Sequence, residues 1–318
     1  MNTYFLGIDG GGTKTEAVCC DIKGDILFHD KAGASNPNDI GTDNSVDIIS
    51  DLINGAIDKC SISVSDAFYV FGGISGALNR TEEMNGMLSE RFPEISVRIE
   101  SDITNVMTGE IGSADGACVI CGTGSVCFVR SQSRFYRIGG WGYLIDSAGS
   151  GFDIGKAAIE AVLRAYDGRG EHTILEKLTT EKLGKPVWDS ISEIYDGGKS
   201  FIASFAETVF RGFERKDKIC GEILDRNAAY IGECLNTAGK ILGNKCKVVF
   251  SGGINTNYSD IWLNKVLSFC DYEIDAAVAK TPPVYGALCE AFSDAGHRMS
   301  PDTVRKLKSD LTYGLSEC

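Results

Sequence analysis

Residues 4–20 read YFLGIDGGGTKTEAVCC, and residues 117–129 answer with ACVICGTGSVCFV. Each stretch is an apolar run, a turn of glycine and hydroxyl residues, and a second apolar run. That pattern predicts a strand, a tight turn and a returning strand. A third short strand is expected after each hairpin, over 25–29 in one case and 135–138 in the other. The same order twice in one chain suggests an internal duplication, which says more than either half alone.

Between the two hairpins the pattern alternates. Residues 43–59 carry Val46, Ile49, Leu52, Ile53 and Ile57 at helical spacing. An aromatic strand over 68–71 runs into Gly72-Gly73. A helix over 80–92 stops before Pro93, and a strand follows over 95–99. Three strands followed by alternating helix and strand predict a mixed α/β sheet. Past the second hairpin, helical spacing returns over 153–166, 173–183, 187–196, 200–213 and 216–242. One more strand, Lys247 to Phe250, runs into Ser251-Gly252-Gly253. Thr281 is expected to cap a last helix with Pro282 at its first position. The boundary is set near 112–116, giving an N-terminal lobe over 1–114 and a larger C-terminal lobe over 115–318.

The composition fits this reading. The chain has 318 residues, 43% hydrophobic and 24% charged, a globular balance of about two domains. Its net charge of −13 argues against a nucleic-acid partner, which would need a basic face. No long apolar run predicts a membrane span, and the first residues lack an export signal, so a cytoplasmic location is expected. The 12 cysteines are then read as mostly reduced thiols. Cys118 and Cys121 have CxxC spacing, but a strand would turn their side chains to opposite faces, and no second ligand pair follows.

Glycine-rich turns let backbone amides approach an anion, and Thr or Ser hydroxyls add donors. Gly11, Gly12, Thr13 and Lys14 form the first candidate phosphate loop. Gly122, Thr123, Gly124 and Ser125 form the second, and Gly252-Gly253 is a third such turn. Neither hairpin is a Walker A loop or a dinucleotide fingerprint. Read alone, each could be an ordinary hairpin turn. Asp9, just before the glycines, suits a Mg²⁺ ligand or a turn-forming residue. Asp102, after a strand, suits a general base or a helix cap. Trp141, between glycines, could stack on a sugar or pack in a core. Asp146 could bind hydroxyls, and Asn36 could read a polar ligand or shape its turn. The three histidines lack metal or triad spacing.

The segments GIDGGGTKTEA (7–17), SNPNDIGTD (35–43), ESDITNV (100–106), CGTGSVC (121–127), GGWGYLIDSAGSGFDIG (139–155), FSGGI (250–254) and TPPVYGAL (281–288) resemble, in this order, the N-acetylglucosamine kinase and BadF/BadG-type ATPase family. That family belongs to the actin, hexokinase and heat-shock-chaperone superfamily. The resemblance implies an α/β, two-lobed ribonuclease H-like fold with duplicated mixed sheets and a nucleotide cleft between lobes. It implies ATP and Mg²⁺ as cofactors and a sugar as substrate. Asp9 resembles the family's metal-associated aspartate, and Gly11 to Lys14 and Gly122 to Ser125 its two phosphate loops. Gly252-Gly253 resembles its adenosine motif. Asp102 falls at its catalytic base, which also touches the sugar. Asn36, Trp141, Gly142 and Asp146 fall in sugar-contacting segments, and Ala203 in a nucleotide-contacting helix. Many members read G-D-E-G-S after the G-W-G segment. Here the acid stands one place earlier, at Asp146, and the neighbouring Glu is missing, which leaves the sugar open.

The leading expectation is therefore an ATP-dependent kinase acting on a hydroxyl of an amino sugar or hexose, N-acetylglucosamine or glucosamine first. The alternatives are an ATPase activator of a radical dehydratase or reductase, which would use cysteines for an iron–sulfur cluster, and a non-catalytic sugar sensor. The expected partners are the sugar and ATP, with no nucleic acid and no membrane. A homodimer is entertained without a sequence feature that proves it.

Overall fold

The computed structural model describes residues 2–132, 134–243 and 245–313. The chain divides into two compact units, Met1–Ala114 with Lys280–Cys318, and Asp115–Ala279. Residues 280–318 were expected with the second half, but the described ones, 280–313, pack with the first unit. Their apolar side chains fill a sheet face that the first 114 residues leave uncovered.

Each unit is built on a five-stranded mixed sheet. In the first, β1 (Thr3–Gly10), β2 (Thr15–Asp21) and β3 (Ile26–Ala32) form an antiparallel meander. Here β4 (Ala67–Ile74) and β5 (Ser96–Glu100) add in parallel, giving the order β3-β2-β1-β4-β5. The second unit repeats this. β6 (Gly116–Cys121), β7 (Ser125–Ser131) and β8 (Arg134–Ile138) form the meander, and β9 (Lys245–Ser251) and β10 (Glu273–Val278) add in parallel. The duplication read from the two hairpins is thus a duplication of the whole sheet.

β1 is apolar from Phe5 to Ile8 because both its faces are buried there, as central strands require. Leu6 and Ile8 point to one face and meet Val46, Ile49, Leu52 and Ile53 of the helix Thr42–Cys60. Phe5 points to the other, with Val18 and Phe71, and meets Val284, Leu288 and Phe292 of the helix Pro283–Asp294. The second unit has one core, in which Val119 and Phe250 of the sheet meet Ile154, Phe205, Leu224 and Trp262 of the flanking helices.

Several local expectations shift. The cap before Pro283 is Pro282, not Thr281, and the Thr281 hydroxyl instead donates to Glu110 Oε1 at 2.7 Å. The stretches 187–196 and 200–213 resolve into a short 3-10 turn and two helices, Ile191–Ala203 and Ala206–Glu214, the former broken at Gly198 (φ 61°). β10 had not been expected. Its side chains alternate between exposed and half-buried, and its alanines give a weak strand signal. Every cysteine among the described residues is a free thiol, most of them in the core. Burial pushes the Cys121 thiol up to about 12, so it packs as a small apolar group.

Candidate functional site

The first unit gathers its candidate residues at the carboxyl ends of its parallel strands. Gly10 is level with Ile74, and Gly73 with Glu100, so the ends of β1, β4 and β5 lie together. Asp9 stands at the end of β1, and the Gly11 amide closes the hairpin on the Lys14 carbonyl at 2.9 Å. Gly12, Thr13 and Lys14 are exposed at its tip. The amide of Ser75, just past β4, donates to the Gly10 carbonyl at 2.8 Å, and Asp102 opens the helix Asp102–Ile111 just past β5.

The two carboxylates share an environment. Burial pushes Asp9 from 3.8 up to about 7, and the Asp102 charge adds to the rise. Asn105 Nδ2 donates to Asp9 Oδ1 at 2.8 Å and opposes it. Asp102 is also raised by burial, against hydroxyl donors from Ser101 and Ser75 that favour the ionised form. Asp102 is the first helical residue, and Ser101 before it makes no side-chain cap. Asn36, by contrast, does cap. Its Oδ1 accepts from the Asn38 amide at 2.9 Å at the start of the short helix Pro37–Ile40. Asn36 also belongs to this cluster, because Gly76 just past β4 leaves it room: a β-carbon there would stand 2.1 Å from Asn36 Oδ1.

These residues fit a Mg²⁺ ion. Two half-buried carboxylates, both raised by burial and one raised further by the charge of the other, would also favour a divalent cation. Among the described residues no group of three or more His, Cys, Asp or Glu could hold a metal by itself. Such a donor set suits Mg²⁺, which commonly takes one or two carboxylates and completes its shell with water and nucleotide phosphates.

The second unit gathers a second set. The Gly122 amide closes its hairpin on the Gly124 carbonyl at 2.8 Å. The hairpin docks on the helix Gly151–Tyr166, whose first amides, from Gly151 and Phe152, donate to the Gly122 and Thr123 carbonyls. Ser125 donates its hydroxyl to the Ala148 carbonyl at 2.7 Å, which leaves Thr123 as the exposed hydroxyl of the loop. Ala203 lies against the same place: a β-carbon on Gly151 would stand 3.4 Å from its carbonyl oxygen. Gly252 holds φ at 92°, and a β-carbon there would sit 2.6 Å from the Cys121 oxygen, so the Gly252-Gly253 turn is pressed onto the hairpin base. Lys199 follows the break at Gly198 and brings its ammonium 3.7 Å from where a Gly124 β-carbon would be. The sequence reading missed it, because only the helix break aims it at the loop.

Trp141, Gly142 and Asp146 also belong to this unit. Trp141 is 62% exposed with the Arg137 guanidinium 4.6 Å over its ring, so it is not core. Asp146 ties its own loop to the helix Lys218–Leu242. Its Oδ1 accepts the Tyr230 hydroxyl at 2.5 Å and its Oδ2 the Trp141 amide at 3.4 Å. It fixes the G-W-G segment.

The order of these motifs has a counterpart among known proteins: the sequence signature of the BadF/BadG/BcrA/BcrD ATPase family matches residues 6–289. This chain belongs to that family. Family membership covers both hairpins, both acids and the Gly252-Gly253 turn. The chain is 31% identical over 303 residues to an N-acetylmuramic acid/N-acetylglucosamine kinase of Clostridium acetobutylicum, covering 92% of this chain and 99% of the relative. It is 31% identical over 269 residues to an N-acetyl-D-glucosamine kinase of Dictyostelium discoideum, covering 78% and 84%. In fold, it is similar to the crystal structure of a candidate N-acetylglucosamine kinase from Chromobacterium violaceum. The TM-score is 0.67 at 22% identity, over 91% of this chain and 98% of that one.

Proposed function

We propose that this BadF/BadG/BcrA/BcrD-family protein is an ATP-dependent kinase that phosphorylates a hydroxyl of an amino sugar, N-acetylglucosamine or glucosamine first. The observation that carries the reading is the pairing of Asp102 with Asp9 at the strand ends beside a glycine hairpin. Phosphoryl transfer needs a base at the acceptor and a carboxylate for the metal, both rigidly held. The kinases named above, alike over most of their length, support the amino sugar as the acceptor.

In this mechanism the Asp102 carboxylate accepts the proton of the sugar hydroxyl as that oxygen attacks the γ-phosphorus and ADP leaves. Its raised pKa brings it nearer the working pH, where a general base is most effective. Asp9 would hold Mg²⁺ together with phosphate oxygens, and the ion would neutralise the charge of the transferring group. The Gly12 amide, with Thr13 and Lys14, serves phosphate oxygens, while the Gly11 amide holds the hairpin closed on the Lys14 carbonyl. In the second unit Gly122, Thr123 and Gly124 form the other phosphate-binding loop, with Ser125 bracing it, and Ala203 and Gly252-Gly253 meet the adenosine. Asn36, Trp141 and Gly142 contact the sugar, while Asp146 sets the Trp141 segment. The need for ATP places the reaction in the cytoplasm, and a homodimer is the assembly we propose.

A coupled ADP-release assay over N-acetylglucosamine, glucosamine, N-acetylmuramic acid, N-acetylmannosamine and glucose tests the reading. Sugar-dependent ADP release that is highest with an amino sugar supports it. ATP hydrolysis indifferent to every sugar, with reducible iron–sulfur absorbance in anaerobically purified protein, would support the activator reading instead.

A further inference from the structure

Asn105 is fully buried on the helix Asp102–Ile111, one turn after Asp102. Its Nδ2 donates to Asp9 Oδ1 at 2.8 Å and lies 3.3 Å from the Ile8 carbonyl and 3.4 Å from the Gly73 carbonyl. The amide thus sits between the ends of β1 and β4. The strand is cut away to admit it: a β-carbon on Gly73 would stand 2.3 Å from Asn105 Oδ1.

The second unit holds a matching side chain with one contact fewer. Asn255 is fully buried and its Nδ2 donates to the Val119 carbonyl on β6 at 3.0 Å and the Ser251 carbonyl on β9 at 2.6 Å. In both residues Oδ1 is buried without a partner. Tying two parallel strands together therefore needs only the two carbonyl contacts. The contact to a carboxylate is added in the first unit, where the residue before the hairpin glycines is Asp9. At the corresponding place in the register of the second hairpin stands Ile120.

We propose that Asn105 is a positioning residue for the metal. It fixes Asp9 through Oδ1, leaving Oδ2 directed to the cation, and it ties that carboxylate to the helix that carries Asp102. This rests on the kinase reading of Asp9. Groups that orient a metal ligand from behind typically change metal affinity by about 10–100-fold when removed.

The test uses full-length protein with ADP, Mn²⁺ as the probe and its electron paramagnetic resonance as the readout, with thermal midpoints alongside. Asn105→Ala is expected to weaken Mn²⁺ binding in the ADP complex by roughly 10–100-fold. ADP affinity measured in EDTA is expected to stay within about twofold, because Asn105 faces the ligand carboxylate and not the nucleotide. Gly73→Ala keeps Asn105 but evicts its side chain, and is expected to give the same loosening; it carries the measurement if Asn105→Ala does not fold. A lowered melting temperature with wild-type Mn²⁺ affinity in the folded variants would mean that Asn105 only braces the strands, and would overturn the proposal. If wild-type protein with ADP holds no Mn²⁺, the metal role of Asp9 falls together with this one.

Discussion

At the residue scale the two aspartates make separable predictions. Asp102→Asn removes the proton acceptor and keeps the shape, so kcat is expected to fall about 10²–10⁴-fold while ADP affinity is unchanged. Turnover near wild type would remove Asp102 from the mechanism. Asp9 makes a prediction about stability. Its folded pKa of about 7 lies above the 3.8 of an ordinary aspartate, so the native state binds the proton more tightly than the unfolded chain. Stability from this group is full below about pH 4 and is lost as the pH climbs towards 7, a change on the order of a few kcal/mol. In EDTA, urea unfolding at pH 5 and pH 8 is expected to show a larger loss for wild type than for Asp9→Asn, which cannot ionise there. Equal losses would show that Asp9 ionises freely. Asp9 was legible because it stands at the end of an apolar strand, and Asp102 because it stands between a strand and a helix. Asn105 was not: a polar residue in the first turn of a helix reads as exposed, and only the sheet above it reveals that it is buried.

At the scale of elements, the hairpins were legible and their supports were not. Glycine and hydroxyl residues between two apolar runs define a turn locally, whereas the contacts that place Gly252 and Lys199 on the second hairpin come from distant parts of the chain. Two variants separate rigid support from charge. Gly252→Ala puts a side chain into positive φ and against the Cys121 carbonyl, and is expected to lower the melting temperature and ADP affinity together. Lys199→Gln removes an exposed charge that makes no ion pair among the described residues and lies 5.4 Å over the Tyr143 ring. ADP affinity is expected to weaken several-fold with the melting temperature unchanged, since exposed substitutions of this kind move stability by about 0.5 kcal/mol or less. Unchanged ADP affinity in Lys199→Gln would take that lysine away from the phosphates. The unforeseen strand β10 has the same cause: its pattern is weak, and the argument for it is the symmetry of the two sheets.

At the scale of the whole molecule, the sequence reading found the duplication but missed that the first unit is discontinuous. The repeat points forward along the chain, and nothing local in residues 280–313 says which sheet they cover. The core shows it: Val284, Tyr285, Leu288, Phe292, Leu307 and Leu311 are buried with Phe5, Val18 and Phe71. Burying each such side chain contributes about 1.5–3 kcal/mol. Removing all six would cost on the order of 10 kcal/mol, as much as the whole stability of a typical domain. Residues 1–114 alone are therefore expected not to fold. Lys280 and Thr281 donate their amides to Glu110 at 2.7 Å, so the chain re-enters the unit close to where it leaves. A chain in which a short Gly/Ser linker replaces residues 115–279 should accordingly fold cooperatively, because it restores the covered face with a short loop closure. Circular dichroism and urea unfolding compare the two chains. A folded 1–114 fragment, or a linked chain that stays unfolded, would mean that the C-terminal helices are not what completes this core.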